Sequence, residues 1–345
     1  MSMPSISVSK ESFDAALLAG VRDQLAEAYR ALRLREQDVF QSMLDETGEF
    51  RPGLTHTRDC PLCGASSRSA SLAYYAHGMH IVQCPQCDLV YSHEVINCDS
   101  DEARYRSSNV TSAHMALHRN AAYAELESKK ARYIVGRLAQ VRGTSETSLL
   151  DIGCSTGALL QAAAEAGWQA LGIDLSRDGV QIARDRGLDV LEGCFPQDLP
   201  IERAPFGAIT MLDVLEHAED PKGFLASVTE HLSHGGVLGV QVPNFNSLLI
   251  RIEGARNNNI CHGHWSYFTS ETLIKLANKV GLEVLSIETI ISEIDRIRAY
   301  STEQVVEAAR LLTGRDVELA KIDHRWVHEH LLGYKLLGVF ARPQS

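Results

Sequence analysis

The sequence predicts an α/β protein built on a doubly wound, mostly parallel sheet, and three observations predict it. From Ser148 onward, short apolar runs alternate with amphipathic helical stretches, the pattern of strand–helix–strand units. The first run, Leu149-Leu150-Asp151-Ile152, passes through the small-residue loop Gly153-Cys154-Ser155-Thr156-Gly157 into a helical segment, Ala158 to Ala166. The second run, Gln169 to Ile173, ends on Asp174, at the spacing expected of an acid that accepts from ribose hydroxyls. Strand, glycine turn and helix in that order bring backbone N–H groups and a helix N-terminus up to a ligand. Glycine suits such a loop because a Cβ would block close approach or the required φ.

The remaining elements of this region follow in order. A helix near Asp178–Arg186 stops at Gly187, and Val190-Leu191 opens a short third strand. Phe206–Leu212 makes a fourth, leading to Asp213-Val214-Leu215-Glu216-His217, and a helix runs from about Pro221 to His231. Gly235-Gly236 turns into a fifth strand, Val237–Val242.

Upstream, residues 11–45 read as an amphipathic helix through Phe13, Leu17, Leu18, Val21, Leu25, Tyr29, Leu32 and Leu34. Such a helix packs on its own domain or on a second subunit, which makes it the candidate homo-oligomer contact. Gly48 to Gly53, with Pro52, ends it. Cys60-Pro61-Leu62-Cys63 and Cys84-Pro85-Gln86-Cys87 then stand 20 residues apart. Two such knuckles suit a tetrahedral zinc site, with each tight turn giving two thiolates. Four thiolates leave no position for water, so the zinc is expected to be structural, tying a ribbon with strands at Ala70–Tyr75 and His80–Gln83. His77, His80 and His93 are bystanders in this reading. Helical spacing returns from about Glu102 to Arg142. The expected divisions are a helical segment at 1–53, a zinc ribbon at 54–98, a helical connector at 99–147 and the α/β domain at 148–345.

Bulk properties narrow the function. The chain has 345 residues, 45% hydrophobic and 22% charged, with a net charge of −11 that argues against a general nucleic-acid or membrane-surface binder. Residues 60–90 carry Arg68 as their one Lys or Arg. The first residues lack the apolar core of a leader, and no run approaches the roughly 18 apolar residues of a membrane span. Eight cysteines without a leader point to a reducing compartment, so a cytoplasmic location is expected.

Asp151-Ile-Gly-Cys-Ser-Thr-Gly157, Gly172-Ile-Asp-Leu-Ser176, Asp213-Val-Leu-Glu-His217 and Gly235-Gly236 together resemble successive motifs of class I S-adenosylmethionine-dependent methyltransferases. The cysteine module ahead of them resembles the N-terminal zinc ribbon of a small-molecule and sugar methyltransferase subset. The resemblance implies a seven-stranded sheet with a reversed last hairpin, Gly281–Glu288 and Tyr334–Arg342, and helices between them at about 302–330. It implies that Gly153, Cys154 and Gly157 hold the methionine part of S-adenosylmethionine, that Asp151 supports the loop or meets the amino group, and that Asp174 binds ribose. Cys194 and Phe195 stand where the family meets adenine, and Asp213 joins the cofactor-binding set. Two departures stand out: the family's acid after the third strand is replaced by Glu192-Gly-Cys-Phe195, and Ser155 replaces a common glycine. A dinucleotide dehydrogenase does not fit, since Gly-x-Gly-x-x-Gly is missing.

Methyl transfer from a sulfonium is an in-line displacement, so alignment and, for some acceptors, proton removal are what the protein supplies. The candidate bases are His217, after the fourth strand, and His262, His264 and Tyr267 in Cys261-His-Gly-His-Trp-Ser-Tyr-Phe-Thr269, whose His264-to-Thr269 spacing resembles the family's pocket-closing His-x-x-x-Phe-Thr segment. Trp265 reads as packing, and His324 and His328 as an exposed helical face. The expected function is methyl transfer to a small metabolite, a nucleotide-linked sugar or secondary-metabolite intermediate. The alternatives are an RNA or protein methyltransferase whose ribbon grips the polymer, and a non-catalytic cofactor-binding partner subunit.

Overall fold

The structure is a computed structural model that describes residues 12–14, 30, 32, 34, 37–97, 115, 117–141 and 145–344. Most of the helix expected at 11–45 lies outside the described residues; 37–43 are helical, with Phe40 buried.

Among the described residues the chain forms three sheets. A two-stranded piece pairs β1 (Thr55–Thr57) with β5 (Glu94–Ile96). Between them lie β2 (Ser71–Ala76), β3 (Met79–Gln83) and β4 (Val90–Ser92), an antiparallel meander whose first two strands fall where the ribbon was expected.

The helix α1 (Ala121–Val141) leads into the large sheet. Its strands are β6 (Ser148–Ile152), β7 (Gln169–Asp174), β8 (Val190–Glu192), β9 (Phe206–Leu212), β10 (Leu232–Pro243), β12 (Glu283–Ile290) and β13 (Lys335–Ala341), and the two-residue β11 (Ser266–Tyr267) belongs to the meander instead. The seven strands lie in the order β12-β13-β10-β9-β6-β7-β8. Only β13 runs against its neighbours, pairing antiparallel with both β10 and β12. The reversed hairpin is thus present. β10 begins earlier than expected because the register shifts between Leu232 and Val237, letting the strand run through Gly235-Gly236.

Both faces of the sheet are buried, which explains why its strands read as continuous apolar runs. Successive side chains point to opposite faces. Leu149, Ala208, Val237 and Leu337 pack beneath α1 with Ile134 and Leu138. Their neighbours Leu150, Ile209, Leu238 and Leu336 join the opposite cluster. The helices that cover the sheet are α2 (Ala158–Glu165), α3 (Arg177–Asp185), α4 (Pro221–Glu230), α5 (Leu248–Glu253) and α6 (Ser270–Lys279). Several starts are set by sequence: Ser176, Asp220 and Thr269 each accept from the amide three residues on, and Pro221 fills the first turn.

Past β12, α7 (Ile294–Ile297), α8 (Thr302–Thr313) and α9 (His324–Glu329) pack with α5 around Leu249, Ile297, Val305 and Val327. His328 departs from the expected exposed face. It is buried, with Nε2 3.0 Å from Asp14 Oδ2 and Nδ1 3.0 Å from Thr289 Oγ1, whereas His324 is exposed. His324 and His328 stand four residues apart and share one helix face, but only the second turn, with Val327 and His328, meets the core, while His324 at the helix start stays outside.

The ribbon is fused to the large sheet. β11, which follows the loop of His262 and His264, pairs antiparallel with β4. Cys60, Leu62, Cys84, Leu89 and Tyr91 share one apolar cluster with Phe268, Leu273 and Leu276. Arg58 spans the seam, donating to the carbonyls of Ser92, Glu219 and Trp265, and burial lowers its pKa to about 10. Lys275 on α6 reaches the carbonyl of Cys87 and the carboxylate of Asp88, both at 2.9 Å.

Candidate active site

The parallel strands all end at one edge, and so the loops after β6, β7 and β9 converge there. Gly153 and Gly157 have φ of 75° and 82°, and Ser155, between them, has φ of 47°. A Cβ at Gly153 would come within 2.5 Å of Val214 Cγ2, and one at Gly157 within 2.4 Å of Leu188 Cδ1. Both glycines are therefore required by conformation and by space. The loop is held from below: Gly153 N–H donates to Ile173 O at 2.8 Å, and Ser155 N–H to Asp174 Oδ2 at 2.7 Å. Asp174 also accepts from Ser176 N–H through Oδ1 at 2.7 Å, and burial raises its pKa in spite of these two amide donors.

Asp151 lies beneath the same loop, 3% exposed, and accepts from Thr210 Oγ1 at 2.7 Å. Burial, then the charge of Asp174, lifts its pKa to about 7. Cys154 is buried against Gly172, where a Cβ would meet its Sγ at 2.5 Å. After β8, Cys194 N–H donates to Asp198 Oδ2 at 2.8 Å, while the Phe195 ring is buried against Phe224 and His231. The chemistry of this edge fits the expected nucleoside: amide-lined turn, helix N-terminus and an acid at a strand end.

A second group of polar side chains occupies the β9, β10 and β13 part of the edge. Asp213, with φ of 55°, accepts from Lys335 Nζ at 2.6 Å and Gln241 Nε2 at 2.8 Å. Burial opposes its ionisation, but Lys335, Lys130 and His264 outweigh it and hold the carboxyl below its usual range. Lys335 reaches this edge because β13 is reversed, so its first residue pairs opposite Pro243, the last of β10. His217 and His264 lie edge to face with ring centroids 4.8 Å apart. Glu216 sits with them, 1% exposed, and burial pushes its carboxyl well above the ordinary range.

The other two candidate bases are elsewhere. His262 is buried among Phe40, Phe50 and His77, with Nε2 2.6 Å from the His77 carbonyl. Tyr267 lies in β11 inside the apolar cluster of Ile81, Val90 and Trp265, and burial raises its phenol well above its usual value. Trp265 packs, as expected, at 1% exposure.

The four cysteines converge. Their sulfurs lie within 4.8 Å of one another, and the pairs Cys60–Cys87 and Cys63–Cys84 are 3.5 Å apart. Thiolates around zinc at about 2.3 Å stand about 3.8 Å apart, so the donor set fits zinc with slight expansion. Amides of Leu62 and Cys63 approach Cys60, and those of Gln86 and Cys87 approach Cys84.

Three residues of the edge escaped sequence reasoning. His118 lies over the glycine loop, 3.5 Å from Ser155 Oγ and 3.4 Å from Thr156 Oγ1, from a segment with no motif. Lys335 looks like any strand residue, and Gln241 like a polar interruption of an apolar one. Glu216 stood inside a recognised motif, but nothing local distinguishes it from a surface acid.

A family model described as a methyltransferase domain matches residues 116–287. A ubiquinone biosynthesis O-methyltransferase of Idiomarina loihiensis is 30% identical over 156 residues, covering 41% of this chain and 64% of that protein. The C-methyltransferase NovU of Streptomyces niveus is 26% identical over 216 residues, covering 61% of this chain and 48% of that one. The chain thus spans less than two thirds of the length of either of these curated relatives. A solved S-adenosylmethionine-dependent methyltransferase from Clostridium acetobutylicum aligns with 68% of this chain and 100% of its own, at 14% identity and a TM-score of 0.45. Among the described residues no helix is long and apolar enough to cross a membrane.

Proposed function

We propose that this chain is a class I S-adenosylmethionine-dependent methyltransferase that transfers a methyl group to a small metabolite. The observation that carries the proposal is the pairing, at one sheet edge, of the glycine loop and Asp174 with the histidine–carboxylate group of Glu216, His217 and His264. S-adenosylmethionine, when bound, supplies the methyl on a sulfonium. Gly153, Cys154, Gly157 and the amides beyond them receive its methionine portion, Asp174 accepts from its ribose hydroxyls, and the backbone of Cys194 and Phe195 faces its adenine. Asp151 offsets the positive charge brought in. Asp213 acts through Lys335 and Gln241 to order the acceptor side. Orientation or deprotonation of the acceptor falls to Glu216, His217 and His264, while His262 and Tyr267 brace the ribbon.

A small acceptor is supported by the two relatives, named for ubiquinone biosynthesis and for a C-methyltransferase. Nucleotide-linked sugars and secondary-metabolite intermediates are the classes to try first. A polymer held by the ribbon receives less support, because Arg58 is taken up by carbonyls at the seam and His56 by Glu219.

Asp174→Ala is expected to weaken S-adenosylhomocysteine binding by 10- to 100-fold in calorimetry. The ribose loses its acceptor, worth about 1–3 kcal/mol, while the stranded Ser155 and Ser176 amides cost stability of the protein itself. Absence of binding by the parent protein would end the proposal.

The pKa of Asp151 gives a pH signature. A cofactor that favours the ionised carboxyl must expel a proton below pH 7 and none above it. S-adenosylmethionine affinity should therefore rise as pH climbs toward about 7 and then level off. Asp151→Asn should flatten this profile. An unchanged slope in the variant would remove Asp151 from the cofactor's surroundings.

A further inference from the structure

We propose that Glu216, His217 and His264 form a binding site for a divalent cation of the zinc, manganese and cobalt class, separate from the four-cysteine centre. One carboxylate oxygen and one nitrogen from each imidazole lie within 4.8 Å of one another. Ligands about 2.1 Å from one ion stand at most about 4.2 Å apart, so small side-chain rotations close the site.

The carboxylate is the informative member. Glu216 is 1% exposed, and among the described residues neither of its oxygens has a hydrogen-bond partner. A carboxylate taken out of water is costly unless it is paired or coordinates a metal. A simple Glu–His proton relay would show a ring N–H donating to that carboxylate, and none is seen among the described residues.

The imidazoles are oriented accordingly. His217 Nδ1 lies 2.6 Å from the carbonyl of Gly263, and His264 Nδ1 lies 2.9 Å from the carbonyl of Asn259. A carbonyl can only accept, so each Nδ1 carries the proton and each neutral ring keeps its lone pair on Nε2. Metal-ligating histidines are fixed in this way, by donating their other nitrogen to a backbone oxygen. The two stretches are also tied through their backbones, Trp265 N–H donating to Glu216 O at 2.8 Å.

The surrounding charges leave room for a cation. Lys335, from β13, is held 2.6 Å from Asp213, and Lys130, from α1, is held 2.8 Å from Glu127. Each lysine therefore has a carboxylate of its own. Three protein ligands leave coordination positions open, unlike the closed thiolate set. Granting the methyltransferase reading, an acceptor hydroxyl oxygen takes one of these positions, where a bound cation lowers its pKa.

The test uses full-length protein carrying zinc in its cysteine centre. Titrating Co²⁺ should give one ion per chain with visible d–d absorption and no thiolate charge-transfer band; Mn²⁺ counted by electron paramagnetic resonance should agree. Glu216→Gln and, separately, His217→Asn should weaken binding at least about tenfold while zinc content and melting temperature hold. No saturable Co²⁺ or Mn²⁺ binding, or equal binding by the parent and whichever variant stays folded, would overturn the site. The outcome is independent of S-adenosylhomocysteine binding by the parent, which tests the methyltransferase reading alone.

Discussion

Stripping the metal from the four-cysteine centre, or replacing Cys60 and Cys84 together by serine, is expected to unfold far more than the ribbon. In small zinc modules the metal contributes about 10–16 kcal/mol of folding free energy, comparable to the whole stability of a domain. Here the cysteines pack in the same apolar cluster as Phe268, Leu273 and Leu276, and β4 of the ribbon pairs with β11. Losing the ribbon would strip cover from one face of the large sheet and release the loop that carries His264. A fall in melting temperature of more than about 10 °C is expected for both the chelated protein and the double variant, and S-adenosylhomocysteine binding should weaken with it. A ribbon that melts while the rest keeps its melting temperature within a degree or two would show that the shared cluster contributes little.

The second large effect is expected at Gly157. Valine there meets two obstacles, a φ of 82° and a Cβ position 2.4 Å from Leu188 Cδ1. Backbone strain costs about 1–3 kcal/mol and overpacking another 1–3 kcal/mol. The loop can relieve both only by moving off Asp174, which holds it through Ser155. Loss of S-adenosylhomocysteine affinity beyond about 100-fold is expected. Gly167→Ala is the control, for its φ is 85° but nothing stands within 4 Å of the added Cβ. That variant should lose about 1 kcal/mol of stability and keep its affinity. Equal behaviour of the two variants would mean that the glycine loop is no cradle.

Much of the sheet was legible because each strand announces itself locally. Ser148–Ile152 and Phe206–Leu212 fall where the apolar runs and their flanking turns put them. The reversal of β13 came from family resemblance rather than from its residues, since a buried run reads the same in either direction. β11 was invisible: two residues, Ser266 and Tyr267, have no period, and they pair with strand residues far away in sequence. The same limit applied to His328, whose burial depends on Asp14 at the other end of the chain.

What the residues determined by themselves was chemistry tied to short spacing: two cysteine knuckles, a glycine turn ending at a helix, an acid closing the next strand. These are legible because their ligands or amides lie within a few bonds of one another. What only the tertiary structure decided was which distant groups meet. Three histidines of similar local appearance were separated by packing, His264 and His217 against buried Glu216, His262 into an aromatic nest beneath the ribbon. A histidine or a carboxylate takes its role from what removes it from water and what faces it there, and neither is written within its own stretch of chain.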